Sequence, residues 1–99
     1  MAKVIFTIQY ELENGKKDEF MRVVSELKNL LKAEGLEDYS VFSIKGKPNN
    51  FLEQYTFESE EAFEAFDDEN DERINILINK LSDLTIEHST KYKTMLQII

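Results

Sequence analysis

His88 is the sole histidine in the sequence, and there is no cysteine. Triads with a second imidazole, multi-histidine metal centres, thiolate metal sites and thiol nucleophiles are therefore excluded. A lone imidazole titrates near neutrality and can still serve as a general base or a single axial ligand. His88 sits in Glu87-His88-Ser89-Thr90, between helix-like and strand-like segments, where an exposed loop imidazole is the commoner outcome. Glu53 and Glu58, with Glu11, invite reading as an acid/base pair. Carboxylates do such work only when burial drives their pKa values apart, and these are expected to be strand-end groups facing water. The acidic stretch Asp67-Asp68-Glu69-Asn70-Asp71-Glu72 suggests a calcium loop. An EF-hand needs Gly at its sixth place and Glu at its twelfth, where this chain has Glu72 and Ile78. A solvated turn or helix break is the expectation, and no metal site is expected.

The aromatic residues offer more. Tyr10 shares strand parity with Phe6 and Ile8, and Tyr55 and Phe57 share it with Phe51. If these rows face the helices, they meet Phe63 and Phe66 there. Such a cluster is commonly core. Buried phenol hydroxyls nevertheless need partners, and a cleft with a few oriented polar groups is how small ligands are held. Tyrosine hydroxyls can orient a flat, partly apolar ligand and stabilise a developing enolate by hydrogen bonding.

The elements that must position these residues follow from periodicity. Val4, Phe6, Ile8, Tyr10 and Leu12 alternate with Thr7, Gln9 and Glu11, the period of a strand. Asn14-Gly15 breaks the pattern, with Asn14 available to cap the following helix. Phe20, Val23, Val24, Leu27, Leu30 and Leu31 line one helix face, and Gly35 is placed to end it. Tyr39–Lys45 and Phe51–Glu58 read as strands joined by the hairpin loop Gly46-Lys47-Pro48-Asn49-Asn50. Ser59 reads as the N-cap of a short helix through Ala62, Phe63 and Phe66. The acidic stretch interrupts or bends it, and helical spacing resumes at Ile74, Leu77, Ile78, Leu81 and Leu84. Tyr92–Ile99 alternates weakly as a last strand.

This order, β-α-β-β-α-β, is the ferredoxin-like pattern: an α+β domain spanning 1–99, with an antiparallel sheet and helices on one face. The chain has 99 residues, the size of one core. Its formal charge of −8, with no basic stripe, argues against nucleic acid and anionic membranes as partners. No apolar run approaches a membrane span, the start is not signal-like, and a cytoplasmic protein is expected.

Helices on one face leave the other sheet face bare. By parity it carries Ile5, Thr7, Gln9, Leu52, Gln54 and Thr56, with Met95, Gln97 and Ile99 beside them. A solvated face more commonly carries Lys and Glu. An uncharged, half-apolar face calls for a partner, and a twofold sheet-on-sheet homodimer is the simplest closed solution.

The opening strand, Asn14-Gly15-Lys16-Lys17-Asp18-Glu19-Phe20 and Phe57-Glu58-Ser59-Glu60-Glu61-Ala62-Phe63 together resemble the antibiotic-biosynthesis-monooxygenase-like family. The resemblance runs over nearly the whole chain and is sharpest from Tyr55 to Phe66. It implies a dimeric α+β barrel with a small-molecule cleft between each sheet and its helices. Members include cofactor-independent oxygenases of polycyclic phenols, haem-degrading enzymes, quinol oxygenases and an isomerase of a phosphorylated sugar. At the junction Tyr55 stands where the family commonly has Glu, Phe57 keeps the aromatic, and Phe66 replaces a His. The resemblance thus suggests cofactor-free oxygenation of a small aromatic or carbonyl compound. His88 and Tyr55 would be catalytic, and Tyr10, Phe57, Phe63 and Phe66 would bind the ligand. A non-catalytic ligand-binding barrel and an isomerase of a carbonyl compound stay open, because these replacements also fit a fold kept without its chemistry.

Overall fold

A computed structural model describes residues 2–68 and 71–99. The elements in order are β1 (Val4–Glu11), α1 (Lys17–Leu30), β2 (Leu36–Ser43), β3 (Asn50–Phe57), α2 (Glu60–Asp68), α3 (Glu72–Leu84) and β4 (Lys91–Leu96). The strands form one antiparallel sheet in the order β2-β3-β1-β4. This is the expected α+β ferredoxin-like sheet, with the second helical segment divided in two. Among the described residues, no helix is long and apolar enough to cross a membrane.

The pleat sorts the strand residues as alternation requires. Phe51, Glu53, Tyr55 and Phe57 of β3, with Val4 and Tyr10 of β1 and Tyr39 of β2, are buried on the helix side. α1 lays Phe20, Val23, Val24 and Leu27 on that side, and α3 adds Leu77, Leu81 and Leu84. Burying such an apolar side chain contributes roughly 1.5–3 kcal/mol, so this single layer of contacts is the core. A bidentate pair from Arg73 to the Glu26 carboxylate, at 2.5 and 2.8 Å, ties α3 to α1 at the surface.

Caps place the helices. The Ala62 N–H donates to Ser59 Oγ at 3.1 Å, which makes Ser59 the N-cap of α2, as expected. The Ile74 N–H donates to Asp71 Oδ1 at 3.0 Å and starts α3 afresh. The acidic stretch therefore ends one helix and begins another; residues 69 and 70 lie outside the described residues.

Three local expectations are corrected. Asn14 does not cap α1: Lys16 holds that position without a side-chain cap, and Asn14 Oδ1 accepts from Asn49 Nδ2 at 3.0 Å. The β1–α1 turn is thus stitched to the β2–β3 hairpin instead. Gly35 does not end α1, which stops at Leu30; it turns the chain into β2 with φ +84°. A Cβ there would lie 2.4 Å from Ala62 Cβ, so glycine is what lets α2 approach. Third, β4 begins at Lys91 rather than Tyr92 and ends by Leu96. The open face consequently sets Lys93 opposite Thr7 and Lys91 opposite Gln9, with Met95 opposite Ile5. Its two central strands are uncharged except for Glu11 at the end of β1, while its β4 edge is basic and Asp38 lies on its β2 edge, opposite Thr56.

Candidate active site

Among the described residues, Glu53 is the buried charged one. It lies mid-strand in β3, in the row Phe51-Glu53-Tyr55-Phe57, and is only 2% exposed. The expectation that it is a strand-end group facing water is wrong. An unpaired carboxylate in such a place would be costly, and the neighbouring strands supply its partners. Tyr10 of β1 donates its hydroxyl to Glu53 Oε2 at 2.7 Å. Tyr39 of β2 donates to Oε1 at 2.6 Å. These are short, charge-assisted bonds.

Sheet register explains how two tyrosines reach one carboxylate. The residues directly opposite Glu53 are Ile8 and Val41. Tyr10 stands opposite Phe51 and Tyr39 opposite Tyr55, so each lies one same-face step away, on opposite sides of Glu53. Diagonal neighbours at that separation are within reach of a long aromatic side chain. The rings are held by packing: Tyr10 meets Phe20 edge-on at 5.9 Å, and Tyr39 meets Tyr55 at 4.9 Å.

Above this floor is a cleft of about 190 Å³ between the sheet and α3. Ile8, Tyr10, Glu53 and Tyr55 form its base, Ile78, Asn79, Leu81 and Ser82 its helical wall, and Thr85, Thr90 and Tyr92 its rim. Among the described residues, Glu53 is the only charged one in that lining. Tyr55 lines the cavity, and its hydroxyl has no protein hydrogen-bond partner among the described residues.

Burial pushes the Glu53 carboxyl above the ordinary carboxylate range, against the opposing pull of the Tyr39 and Tyr10 hydroxyls. Burial and then the Glu53 charge push Tyr10, Tyr39 and Tyr55 all upward. The three phenols therefore stay protonated and act as donors. Glu53, which accepts from two of them, is the proton acceptor of the group. One carboxylate already bonded at both oxygens does not make a metal-ion site, which needs several oxygen ligands.

The sequence-derived candidates divide. Tyr10 and Tyr55 line the cleft. Phe57, Phe63 and Phe66 do not; Phe57 is wholly buried, with both other rings 5.3 Å from it beneath α2. Phe66 backs Tyr55 at 5.8 Å, so this group props the site rather than touching its contents. His88 lies in the α3–β4 turn at φ +67°, its side chain 90% exposed, beside Glu87 at 3.5 Å and outside the cleft lining. Glu53 as a buried group and Tyr39 are what sequence reasoning missed. The signal was present: Glu53 has the parity of three buried aromatics.

Residues 1–71 match the family model described as antibiotic biosynthesis monooxygenase. The chain belongs to that family. The matched span runs from β1 through α2 and contains Tyr10, Tyr39, Glu53 and Tyr55, whereas the cleft's α3 wall lies beyond it. No curated protein matches the chain. Solved structures share its fold at low identity. A conserved protein from Methanosarcina mazei Go1 superposes with a TM-score of 0.81 at 18% identity, over 96% of this chain and 92% of that one. SnoaB, a cofactor-independent oxygenase from Streptomyces nogalater, gives 0.79 at 12% identity, over 98% and 94%. A conserved protein of unknown function from Bacteroides thetaiotaomicron gives 0.79 at 14%, over 97% and 98%.

Proposed function

We propose that the chain is a cofactor-independent oxygenase, acting on a small phenol or enolisable carbonyl compound in the cleft between the sheet and α3, with Glu53 as its proton acceptor. The observation that carries this is a carboxylate buried at the cleft floor and pinned by two phenol donors, with burial holding it above the ordinary carboxylate range. A general base works best when its pKa lies near the operating pH. Family membership and the likeness of fold to SnoaB support the reaction class.

For a phenol the steps balance without a cofactor. Glu53 takes the hydroxyl proton, and the phenolate places electron density on its para carbon. That electron pair forms the new C–O bond with dioxygen, which is reduced to the peroxide level. Protonated Glu53 returns its proton to the distal peroxide oxygen. The para carbon's hydrogen then leaves as a proton while the O–O bond breaks and expels hydroxide. One phenol and one dioxygen give one quinone and one water. Tyr55 donates to the substrate oxygen and steadies the anion; the apolar wall limits water at the reacting carbon.

Two copies joined through the open sheet faces complete the proposal. An uncharged centre around Thr7 and Gln54, a basic β4 edge and the Asp38 edge make that face self-complementary across a twofold axis.

The test is oxygen consumption with phenols and cyclic ketones. Glu53→Gln keeps the shape and removes the base, and should lower turnover by about a hundredfold or more. His88→Ala should leave it unchanged. Full activity in Glu53→Gln would sink the assignment. An isomerase shares the same first proton transfer and is distinguished by turnover that continues without oxygen.

A further inference from the structure

The charge at the cleft floor has a use besides taking a proton. We infer that the cleft also binds small primary alkylammonium compounds, with the charged nitrogen seated on Glu53 and the hydrocarbon part against Ile8, Ile78 and Leu81. The inference goes beyond the oxygenase reading and rests on where the carboxylate is placed, not on its part in a reaction.

The first ground is a missing counter-ion. Among the described residues the cleft lining holds no Lys, Arg or His. The pairs Lys3–Glu37, Lys28–Asp38 and Arg73–Glu26 lie at the surface, and none involves Glu53. Tyr10 and Tyr39 solvate the carboxylate but bring no positive charge. A buried carboxylate partnered by dipoles alone is left for a cation from outside to neutralise.

The second ground is the cost of pairing. An ion pair formed in a cleft must dehydrate both ions. Here the carboxylate lost its water when the chain folded, being 2% exposed, so only the ammonium gives up water on binding. Each Glu53 oxygen accepts one hydroxyl and keeps a second lone pair. The Tyr55 hydroxyl oxygen, one same-face step along β3, accepts nothing from the protein among the described residues. A primary ammonium group has three N–H donors to set against these acceptors.

The third is the wall. Tyr10, Tyr55 and Tyr92 line the cleft, and aromatic rings attract cations through their faces. Tyr92 is held in place by stacking on Phe6 at 6.2 Å. The net charge of −8 also concentrates cations around the chain.

The test titrates the full chain with benzylammonium, and with benzyl alcohol as its neutral match, following the backbone amide shifts of Ile8, Tyr55, Ser82 and Thr90. Saturable shifts with benzylammonium are expected, with the alcohol at least about tenfold weaker. Glu53→Gln should abolish that difference.

The pH dependence of the parent gives a second readout that needs no variant. Burial makes Glu53 hold its proton to higher pH than an ordinary glutamate, whereas an alkylammonium stays charged up to about pH 10, as lysine does. Benzylammonium affinity should therefore rise as pH rises through the raised Glu53 pKa and then level off, while that of the alcohol stays flat. Tyr10, Tyr39 and Tyr55, the titratable groups facing Glu53, stay protonated throughout. The residues that α1 buries and those that α3 lends to the cleft are uncharged.

Equal affinity for the alcohol, a benzylammonium affinity indifferent to pH, or shifts confined to the acidic residues Asp71 and Glu72 overturns the inference. Oxygen uptake keeps it apart from the catalytic reading. Glu53-dependent binding of benzylammonium that leaves uptake unchanged supports the ammonium site and removes Glu53 as the base. Uptake that depends on Glu53, with no binding of benzylammonium, keeps the base and overturns the site.

Discussion

Tyr39 donates its hydroxyl to Glu53 across the β2–β3 pairing at 2.6 Å, although its opposite neighbour is Tyr55. The bond therefore runs along the sheet's diagonal, mirrored by Tyr10 from the other side at 2.7 Å. A carboxylate held in this way has a fixed position and two constant solvating dipoles, which takes the place of the water it lost.

Removing either donor leaves the charge half-solvated. Tyr39→Phe and Tyr10→Phe should each cost about 1–3 kcal/mol at mildly alkaline pH, because the lost bond serves a charged group. The double variant should depart from additivity by about 0.5 kcal/mol or more, since both bonds serve one carboxylate. Urea unfolding of the four proteins measures this. Strict additivity would mean the two bonds act independently.

Burial raises the folded-state pKa of Glu53 above its unfolded value. The folded chain therefore holds that proton at pH values where the unfolded chain has released it. Stability attributable to Glu53 is fully present below the ordinary glutamate pKa and is lost as pH rises through the raised one. The titratable groups against it are Tyr10, Tyr39 and Tyr55, which stay protonated across that window. Glu53→Gln should flatten this part of the stability curve, so that the variant gains on the parent as pH rises. Chemical denaturation across the window reads the difference directly, and parallel curves would refute the raised pKa.

Gly35 and Gly15 form a matched pair. Both have φ near +80°, yet a Cβ at Gly35 meets Ala62 at 2.4 Å while one at Gly15 meets nothing within 4 Å. Gly15→Ala should cost about 1–2 kcal/mol, the strain of a left-handed residue. Gly35→Ala should cost about 1–3 kcal/mol more, from the displaced α2. Thermal unfolding compares them; equal losses would show that α2 yields freely.

The open sheet face is tested by its centre. Thr7 sits there between Gln54 and Lys93, 7% exposed. Thr7→Glu would bring a charge into a twofold contact from both copies, and should weaken dimerisation by about a hundredfold or more. Sedimentation at micromolar concentration should show the parent as a dimer and the variant as a monomer. A monomeric parent would remove the twofold proposal.

How much of this was legible from the residues depended on range. Strand parity placed Phe51, Tyr55 and Phe57 on one face because alternation is local, and α1 followed from the spacing of Phe20, Val23, Val24 and Leu27. Ser59 declared itself as a cap, since its partner is three residues away. Glu53 did not, because its burial depends on Tyr10, 43 residues distant, and on Tyr39, 14 residues distant. Composition made it one more glutamate among many. Asn14 misled for a related reason: its amide bonds Asn49, 35 residues away, instead of the nearest helix start. The α3 wall of the cleft was read only as helix, because Ile78 and Ser82 gain meaning from the strand beneath them.

The diagonal bonds to Glu53 also bear on how the chain finds its own sheet. Hydrophobic alternation forbids a slip of one residue, which would turn every side chain over. A slip of two is different: β3 would still present aromatics to the helices, and burial alone would scarcely notice. Glu53 would notice. Displaced by two positions against β1 or β2, its carboxylate leaves one hydroxyl behind and is left half-compensated among hydrocarbon. The buried glutamate is thus an alignment key, penalising the one mispairing that the apolar pattern tolerates.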